Sequence, residues 1–235
     1  MKDTYLFHSI KSFLVSREYQ DENTYTFYIG IDENDRIFDN KDQQNEVKRF
    51  ELVFQNVTFH FYSMNGIQKG HLTKMWNRLY EQAYNDGCDY FYQCGDDIKY
   101  TTKGWIQPSI YALEIHNNIG ISGPINNNSR ILTQAMVSRK HMEIFGWFFP
   151  EEIINWCCDD WYNWVYQPEY FYPIHTHYCA NIGGAPRYII DNNKDYHKNK
   201  ETLMYKTNQL REKVKQMVQR DKIILLNYIK DENNI

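Results

Sequence analysis

The chain has 235 residues, of which 42% are hydrophobic and 24% charged, and its formal net charge is −4. This composition supports a packed core and excludes intrinsic disorder, and the small net charge gives no case for general nucleic-acid binding. The longest apolar stretches fall short of the roughly 20 residues that a membrane-spanning helix needs, and the first residues carry no signal-peptide pattern. The cysteine count of five is odd, which favours a reducing compartment and therefore the cytoplasm.

Helices and strands alternate in the first part of the chain. Apolar spacing predicts a helix over 4–19, a strand over 25–32, a short helix over 46–52 and a strand over 57–62. A clear amphipathic helix is predicted over 71–86, with Gly87 ending it. This alternation is typical of a parallel α/β sheet with helices on its faces.

The second part of the chain continues with shorter elements. A helix is predicted over 105–116, a strand from Ile119 into the polar loop that follows, and a strand over 134–137. A short helix over 140–146, a strand over 170–177 and a turn over 183–188 follow. Together these elements predict one α/β domain.

The C-terminal segment differs in charge from the rest. Residues 194–222 contain nine Lys or Arg and four Asp or Glu, so the segment carries +5 and the remainder −9. Apolar residues near heptad spacing predict a long helix over 201–228. We therefore predict a basic helical extension over 193–235. Its charged face is expected to be solvated, and binding to an anionic membrane surface or a nucleic acid is the less favoured alternative.

A nearly continuous apolar run, Asp89–Ile98, ends in the adjacent carboxylates Asp96 and Asp97. Such a run predicts a strand buried on both faces, and ligand sites in α/β sheets lie at the carboxyl ends of such strands. Two adjacent carboxylates repel each other unless a cation offsets their charge. Mg²⁺ or Mn²⁺ bridging to a diphosphate would do so. The alternative is that the two acids cap a helix beginning near Thr101.

A second acid pair, Asp159 and Asp160, lies among aromatic residues. Partial desolvation raises the proton affinity of a carboxylate and suits a general base. The alternative is a surface helix whose acids face water, and the sequence leaves the two readings about even.

Three further patterns are weaker. Arg187 follows two glycines and could bind phosphate, although an ordinary turn explains the pattern as well. His177 lies two residues after another histidine, so both rings share one face of a strand and could bind a metal, although neutral, hydrogen-bonded histidines are commoner. Asp32 follows a strand and either contacts a base or ribose or closes a turn.

Several motifs in order resemble the GT-A-fold glycosyltransferases. These are Gly70 followed by Asn77, then Ala83, and the segment from Gly87 to the Asp pair. The sequence is more closely similar to small glycosyltransferase-like proteins of giant DNA viruses, over about residues 4–192. That closer resemblance is carried by Lys69–Asn77, Gly123–Asn128, Phe149–Asn155 and Gly183–Tyr188.

The resemblance implies a GT-A-like, Rossmann-like domain over 1–192 with a mostly parallel sheet flanked by helices. It implies a glycosyltransferase that moves a sugar, with inversion, from a nucleotide-diphosphate donor to a hydroxyl of a glycan or protein, in the host cytoplasm if the protein is viral. The site residues it implies fall into four groups. Asp97, Asp96 and His177 would bind Mn²⁺ or Mg²⁺; Asp32, Lys69, Asn77 and Arg187 would bind the donor; Asn126 and Asn127 would line the acceptor side; and Asp160, with Asp159 as its rival, would be the base.

The sequence departs from the family pattern at two places. Gly95 occupies the position of the first carboxylate of the Asp-x-Asp motif. The family fold also opens with a strand and loop that hold the nucleotide, whereas this sequence opens in what corresponds to the next helix. Either the first strand has been lost, or the start of the sequence is truncated or misassigned. Two alternatives follow: a non-catalytic nucleotide- or carbohydrate-binding remnant, and a metal-dependent phosphohydrolase or nuclease.

Overall fold

A computed structural model describes residues 4–18, 22–128, 130–184 and 187–232. Its first elements are helix α1 (Tyr5–Ser16), strand β1 (Tyr25–Ile31), helix α2 (Lys41–Lys48), which continues into a 3-10 turn, and strand β2 (Val57–Ser63). The Thr4 hydroxyl caps α1 by accepting a hydrogen bond from the Phe7 N–H. The helix predicted over 4–19 thus ends three residues early, and Tyr19 itself lies outside the described ranges.

Strands β1 and β2 form a two-stranded parallel sheet in which Tyr25 lies opposite Val57. Side chains on one face pack against α1 and the 3-10 turn, and the rings of Phe27 and Phe59 stack with centroids 4.6 Å apart. Helix α3 (Leu72–Asn85) covers the other face, where Leu79 approaches Gly30. The predicted strand–helix order of this region is confirmed.

The remaining elements build a five-stranded sheet and its covering helices. They are β3 (Tyr90–Gln93), β4 (Ile98–Tyr100), α4 (Ile106–Glu114), β5 (Ile121–Ile125), β6 (Ala135–Ser138), α5 (Lys140–Phe145), α6 (Cys158–Tyr166), β7 (Phe171–Asn181) and α7 (Lys200–Glu232). The strand order is β3-β6-β5-β7-β4.

The α/β class is confirmed, but the mostly parallel sheet is not. Within the described ranges, β5 pairs with β7 in parallel, whereas β3–β6, β5–β6 and β4–β7 are antiparallel. For β5 and β6 the physical reason is that the described residues between them form no crossover helix, which a parallel pair requires. The loop between β5 and β6 returns the chain directly alongside the strand it has just left.

The Asp pair lies in a turn between two strands, because β4 begins directly after Asp97. The next helix, α4, begins at Ile106, so the alternative in which the acids cap a helix near Thr101 is wrong. Strand β4 is too short to show a periodic pattern, which is why the sequence did not reveal it. The two carboxylates are thereby held at one end of the sheet.

Helix α7 shares the main hydrophobic core with the rest of the chain. Its buried side chains Leu210, Val214 and Leu225 belong to the same cluster as Trp161 of α6. The Trp161 indole N–H donates to the buried Asp221 carboxylate over 2.9 Å. The boundary at 192/193 stays a prediction, but the packing ties α7 to the sheet. No helix in the described part of the chain is long and apolar enough to cross a membrane.

Two adjacent leucines of α7 test this packing. Leu225 is 1% exposed and Leu226 is 49% exposed. We expect Leu225→Ala to lower the free energy of unfolding by about 2–5 kcal/mol because it leaves a cavity in the shared core. Leu226→Ala is the matched control and should change it by about 0.5 kcal/mol or less. Equal effects in urea denaturation would show that α7 does not stabilise the core.

Candidate active site

A cleft with a cavity volume of about 2310 Å³ runs along the carboxyl ends of β1 and β3 and past the N-terminus of α6. Its lining brings together most of the site residues predicted from the sequence. These are Asp32, Lys69, Asp96, Asp97, Asn127, Asp159, Asp160 and Arg187. Residues distant in sequence thus meet at one edge of the sheets, as the α/β rule for ligand sites predicts.

Arg187 binds the first acid pair directly. Its Nη1 atom donates to Asp96 Oδ2 over 2.9 Å, and its Nη2 atom donates to Asp96 Oδ1 and, over 3.3 Å, to Asp97 Oδ2. A planar guanidinium matches a carboxylate in this bidentate way. The positive charge offsets the repulsion between the two adjacent acids. The structure therefore places Arg187 on the carboxylates themselves.

Asp97 is the more enclosed member of the pair. Its side chain is 15% exposed, against 44% for Asp96. Burial raises the pKa of Asp97 above its usual value; the neighbouring Asp96 raises it further, and Arg187 opposes both effects. Because this carboxylate is less hydrated than its neighbour, it gains more from a cation placed beside it.

The backbone after β7 closes over Asp97. The Ile182 N–H donates to the Asp97 carbonyl oxygen over 2.9 Å. A Cβ atom built on Gly183 would overlap the Asp97 carboxylate, so this position accepts only glycine without a shift of the acid. Gly183, one of the two glycines noted in the sequence, thus permits the backbone after β7 to approach the Asp97 carboxylate closely. Of the predicted turn over 183–188, Ala185 and Pro186 lie outside the described ranges.

The second acid pair occupies the first turn of α6. The helix starts after Cys157, whose backbone is left-handed with φ of 67°, and Asp159 and Asp160 follow at once. Burial raises the pKa of Asp159 to about 7, and repulsion from Asp160 adds to it, while Arg211 of α7 acts in the opposite direction. A carboxyl group with a pKa near 7 changes protonation around neutral pH, as a general base must.

Tyr188 is electrostatically coupled to one acid of each pair. Burial raises the pKa of Tyr188 most, and Cys158, Asp159, Asp97 and Cys157 raise it further. Tyr188 also lines the cleft. Sequence reasoning did not assign Tyr188 to the site, although its position next to Arg187 was the available signal. A neutral phenol there can donate a hydrogen bond to an anionic ligand.

Asn155 holds the wall of the cleft and was also missed. Its amide nitrogen donates to the carbonyl oxygens of Gly70 and Ile189 over 2.9 and 3.0 Å. Its amide oxygen accepts from the N–H groups of Trp156 and Asp191 over 2.7 and 2.8 Å. The side chain is 1% exposed and fully hydrogen-bonded. It ties together three loops that border the site.

Three predicted residues are not among those that line the cleft. Asn77 braces α3 against a loop, because its amide oxygen accepts from the N–H groups of Phe148 and Phe149 over 3.1 and 2.8 Å. Asn126 is buried, and its amide oxygen accepts from the Asn128 N–H over 2.7 Å. His177 lies on β7 and is hydrogen-bonded to the side chain of the preceding threonine over 2.9 Å. Their predicted ligand contacts stay predictions.

Paired carboxylates are the candidate metal ligands that the described residues offer in this cleft. Within the described ranges, no group of three or more His, Cys, Asp or Glu side chains is placed to hold a metal ion. Mg²⁺ and Mn²⁺ in nucleotide sites are held by one or two carboxylates together with substrate phosphates and water. Asp96 and Asp97 fit that arrangement, in which the ion binds together with a diphosphate.

Comparison with known proteins adds no family assignment. No protein-family model matches the sequence, and a search of curated proteins found no match.

The pKa of Asp159 predicts a distinct pH dependence of stability. The folded-state pKa, about 7, lies above the unfolded value of about 4. Between about pH 4 and pH 7 the folded state therefore binds more protons at Asp159 than the unfolded state does. The free energy of unfolding falls as the pH rises through this range. Asp159→Asn removes the penalty, so the variant should gain on the order of 2–4 kcal/mol over the wild type near neutral pH and nothing near pH 4.

The matched control is Asp160→Asn. Because Asp160 adds to the raised pKa of Asp159, removing its charge should shift the pH window downwards without abolishing it. Urea denaturation across the acid-to-neutral range measures both variants. A pH profile of Asp159→Asn that follows the wild type throughout would contradict the assignment.

Proposed function

We propose that the protein is a GT-A-like glycosyltransferase that moves a sugar from a nucleotide-diphosphate donor to a hydroxyl acceptor. The observation that carries the proposal is the meeting of two acid pairs in one cleft, Asp96 and Asp97 on one side and Asp159 and Asp160 on the other. One pair suits a metal–diphosphate complex and the other suits proton removal. The proposed reaction class rests on the sequence motifs, whose order resembles that of the GT-A-fold glycosyltransferases.

The donor is proposed to bind along the carboxyl ends of β1 and β3. Asp97 and Asp96 would hold Mn²⁺ or Mg²⁺ with the diphosphate, and the bound ion would supply neutralisation of the negative charge on the leaving group. Lys69 and Arg187 line the same cleft and carry charges complementary to phosphate. Asp32 follows β1 directly and lines the cleft, where its carboxylate would accept hydrogen bonds from the base or ribose.

The acceptor is proposed to bind next to α6. Asp159 is favoured over Asp160 as the base, since the pKa of Asp159 is raised to about 7 by burial. At neutral pH such a group is partly ionised and still basic enough to take a proton from a hydroxyl. Asn127 lines the cleft and its amide can hydrogen-bond sugar hydroxyls. Removal of the acceptor proton opposite the departing diphosphate corresponds to a single, inverting displacement.

One observation favours a second candidate, a nucleotide- or carbohydrate-binding protein without catalysis. Arg187 already contacts both carboxylates of the first pair. If the ion pair persists when ligand binds, the two acids are not available to a metal. The two candidates make opposite predictions for the effect of Mn²⁺.

Enzymatic activity tests the proposed reaction. We expect Mn²⁺-dependent transfer or hydrolysis with a panel of nucleotide sugars for the wild type. Asp97→Asn should lower kcat/KM by at least about 100-fold, since it weakens the charge that holds the ion. Asp159→Asn should lower kcat by about 100-fold or more with little change in KM, since it removes the base. Asp160→Asn serves as the matched neighbour, and a larger loss there would make Asp160 the base.

Metal binding tests the role of Arg187. Calorimetry of the wild type should detect little binding of Mn²⁺ alone and clear binding of Mn²⁺ together with a nucleoside diphosphate. Arg187→Gln should increase the affinity for Mn²⁺ alone because it frees the carboxylates, and should weaken binding of the nucleotide. If Mn²⁺ does not strengthen nucleotide binding by the wild type, the non-catalytic candidate is favoured.

A further inference from the structure

Strands β1 and β3 are covered on both faces but lie at sheet edges. Their largely apolar sequences fit the covered faces, and these sequences say nothing about the strands' edges. In the structure β1 pairs with β2 alone among the described residues, and β3 is a terminal strand of its sheet. Accordingly Phe27, Ile29 and Tyr92 are only partly buried. The two unpaired edges border the same cavity.

The hydrogen-bonding direction of β1 follows from its known bonds. The Tyr25 N–H and the Ile31 carbonyl group both bond towards β2 and the residues flanking it. Because backbone groups alternate sides along a strand, Thr26, Tyr28 and Gly30 direct their N–H and C=O groups away from β2. One wall of the cavity is therefore a row of backbone donors and acceptors.

The same argument defines the facing wall. The Asp89 carbonyl oxygen accepts from the Arg139 N–H next to β6 over 3.0 Å, so Phe91 and Gln93 bond towards β6. Tyr90 and Tyr92 therefore direct their backbone groups towards the cavity. Gln93 also lines the cavity, and its buried Oε1 atom has no hydrogen-bond partner in the described part of the chain.

Helices cover the gap between these walls on both faces. On one face, α3 packs on both strands, with Leu79 near Gly30 and the Tyr80 ring 4.5 Å from that of Phe91. On the other face, the Phe13 ring of α1 lies 5.1 Å from Phe27 and 5.9 Å from Trp105 of the segment before α4. The gap is thus a slot with polar backbone walls and apolar floor and roof. We call this space, between Thr26–Gly30 and Tyr90–Tyr92, the strand slot.

The size of the cavity supports a large occupant. Its volume of about 2310 Å³ exceeds the roughly 300–1,000 Å³ of a typical small-molecule site. A nucleotide sugar at the carboxyl ends of the strands would leave the strand slot unfilled. Only an extended polypeptide satisfies two backbone edges at once while presenting side chains to an apolar floor and roof.

The described residues of this sequence do not supply the occupant. Their strands are already paired, and the segments outside the described ranges are at most three residues long, shorter than a strand of β1's length. A second copy could fill the strand slot only by unpairing one of its own strands. The occupant is therefore a strand from outside these 235 residues.

We propose that the strand slot binds one extended, uncharged, apolar strand donated by a partner polypeptide, and that this strand joins the two sheets into one. A longer chain in which residues preceding residue 1 protect the slot-facing amides and block peptide binding would overturn the partner as the source of the strand. The strand adds to the outer edges of β1 and β3 by backbone hydrogen bonds, and alternate Val- or Ile-like side chains pack on α1 and α3. This proposal does not depend on the proposed enzymatic activity.

Synthetic peptides test the strand slot in the full chain. The probe is a Val- and Ile-rich peptide of about nine residues with a lysine at each end for solubility. We expect saturable binding, a rise in Tm and slowed hydrogen exchange at Thr26, Tyr28 and Gly30 as well as Tyr90 and Tyr92. The control peptide carries proline at alternate central positions and should not bind, because proline lacks the N–H group.

A pair of variants at Thr26 isolates the backbone contact. Thr26→Pro removes one N–H group that faces the strand slot and spares the bonds to β2, so peptide affinity should fall by about tenfold. Thr26→Val keeps the N–H group and should bind as the wild type does. Equal affinity of both variants, or peptide binding without protection of the slot-facing amides, would overturn the proposal. So would a peptide-free dimer in sedimentation whose slot-facing amides are protected, since the occupant would then be a second copy.

Discussion

Among the residues that the structure describes, the two sheets are separate hydrogen-bonded units, and helices pack across both of them. Helix α3 packs on both β1 and β3, and Phe13 of α1 contacts the first sheet and the aromatic cluster beneath the second. Every buried backbone group needs a hydrogen-bond partner, so two facing strand edges are a constraint on the whole molecule. The position of the cleft follows from these two edges. The cavity lies between β1 and β3 and extends to both acid pairs.

Electrostatics then determines what the cleft can bind. Both acid pairs line it, and burial and the neighbouring acid raise the pKa of Asp97 and of Asp159. Arg187 compensates the first pair, and Arg211 acts on the second, where a pKa of about 7 remains for Asp159. These charges are the basis for the roles that we propose, cation binding for the first pair and proton transfer for the second. Asn155 and Gly183 maintain this arrangement, one by tying loops together and the other by leaving room for Asp97.

Much of the local structure was predictable, because the periodicity of apolar residues reports which face of an element is buried. Strands β1 and β2 and helices α3, α4 and α7 follow their predicted ranges within a few residues. Helix α2 begins earlier than predicted, because its first turns are polar and carry no apolar spacing. The meeting of the two acid pairs was anticipated from strand ends and a family resemblance, whereas Tyr188 and Asn155 were not, since their roles depend on contacts between distant loops.

The sequence by itself determined the α/β class, the positions of most helices and strands, and the acids at strand and helix ends, because these depend on residues close together in the chain. The tertiary structure alone decided strand pairing, the binding of Arg187 to Asp96 and Asp97, and the raised pKa of Asp159. It also decided that β1 and β3 lie at sheet edges. Pairing, desolvation and charge compensation are set by groups far apart in the sequence, so no local pattern encodes them.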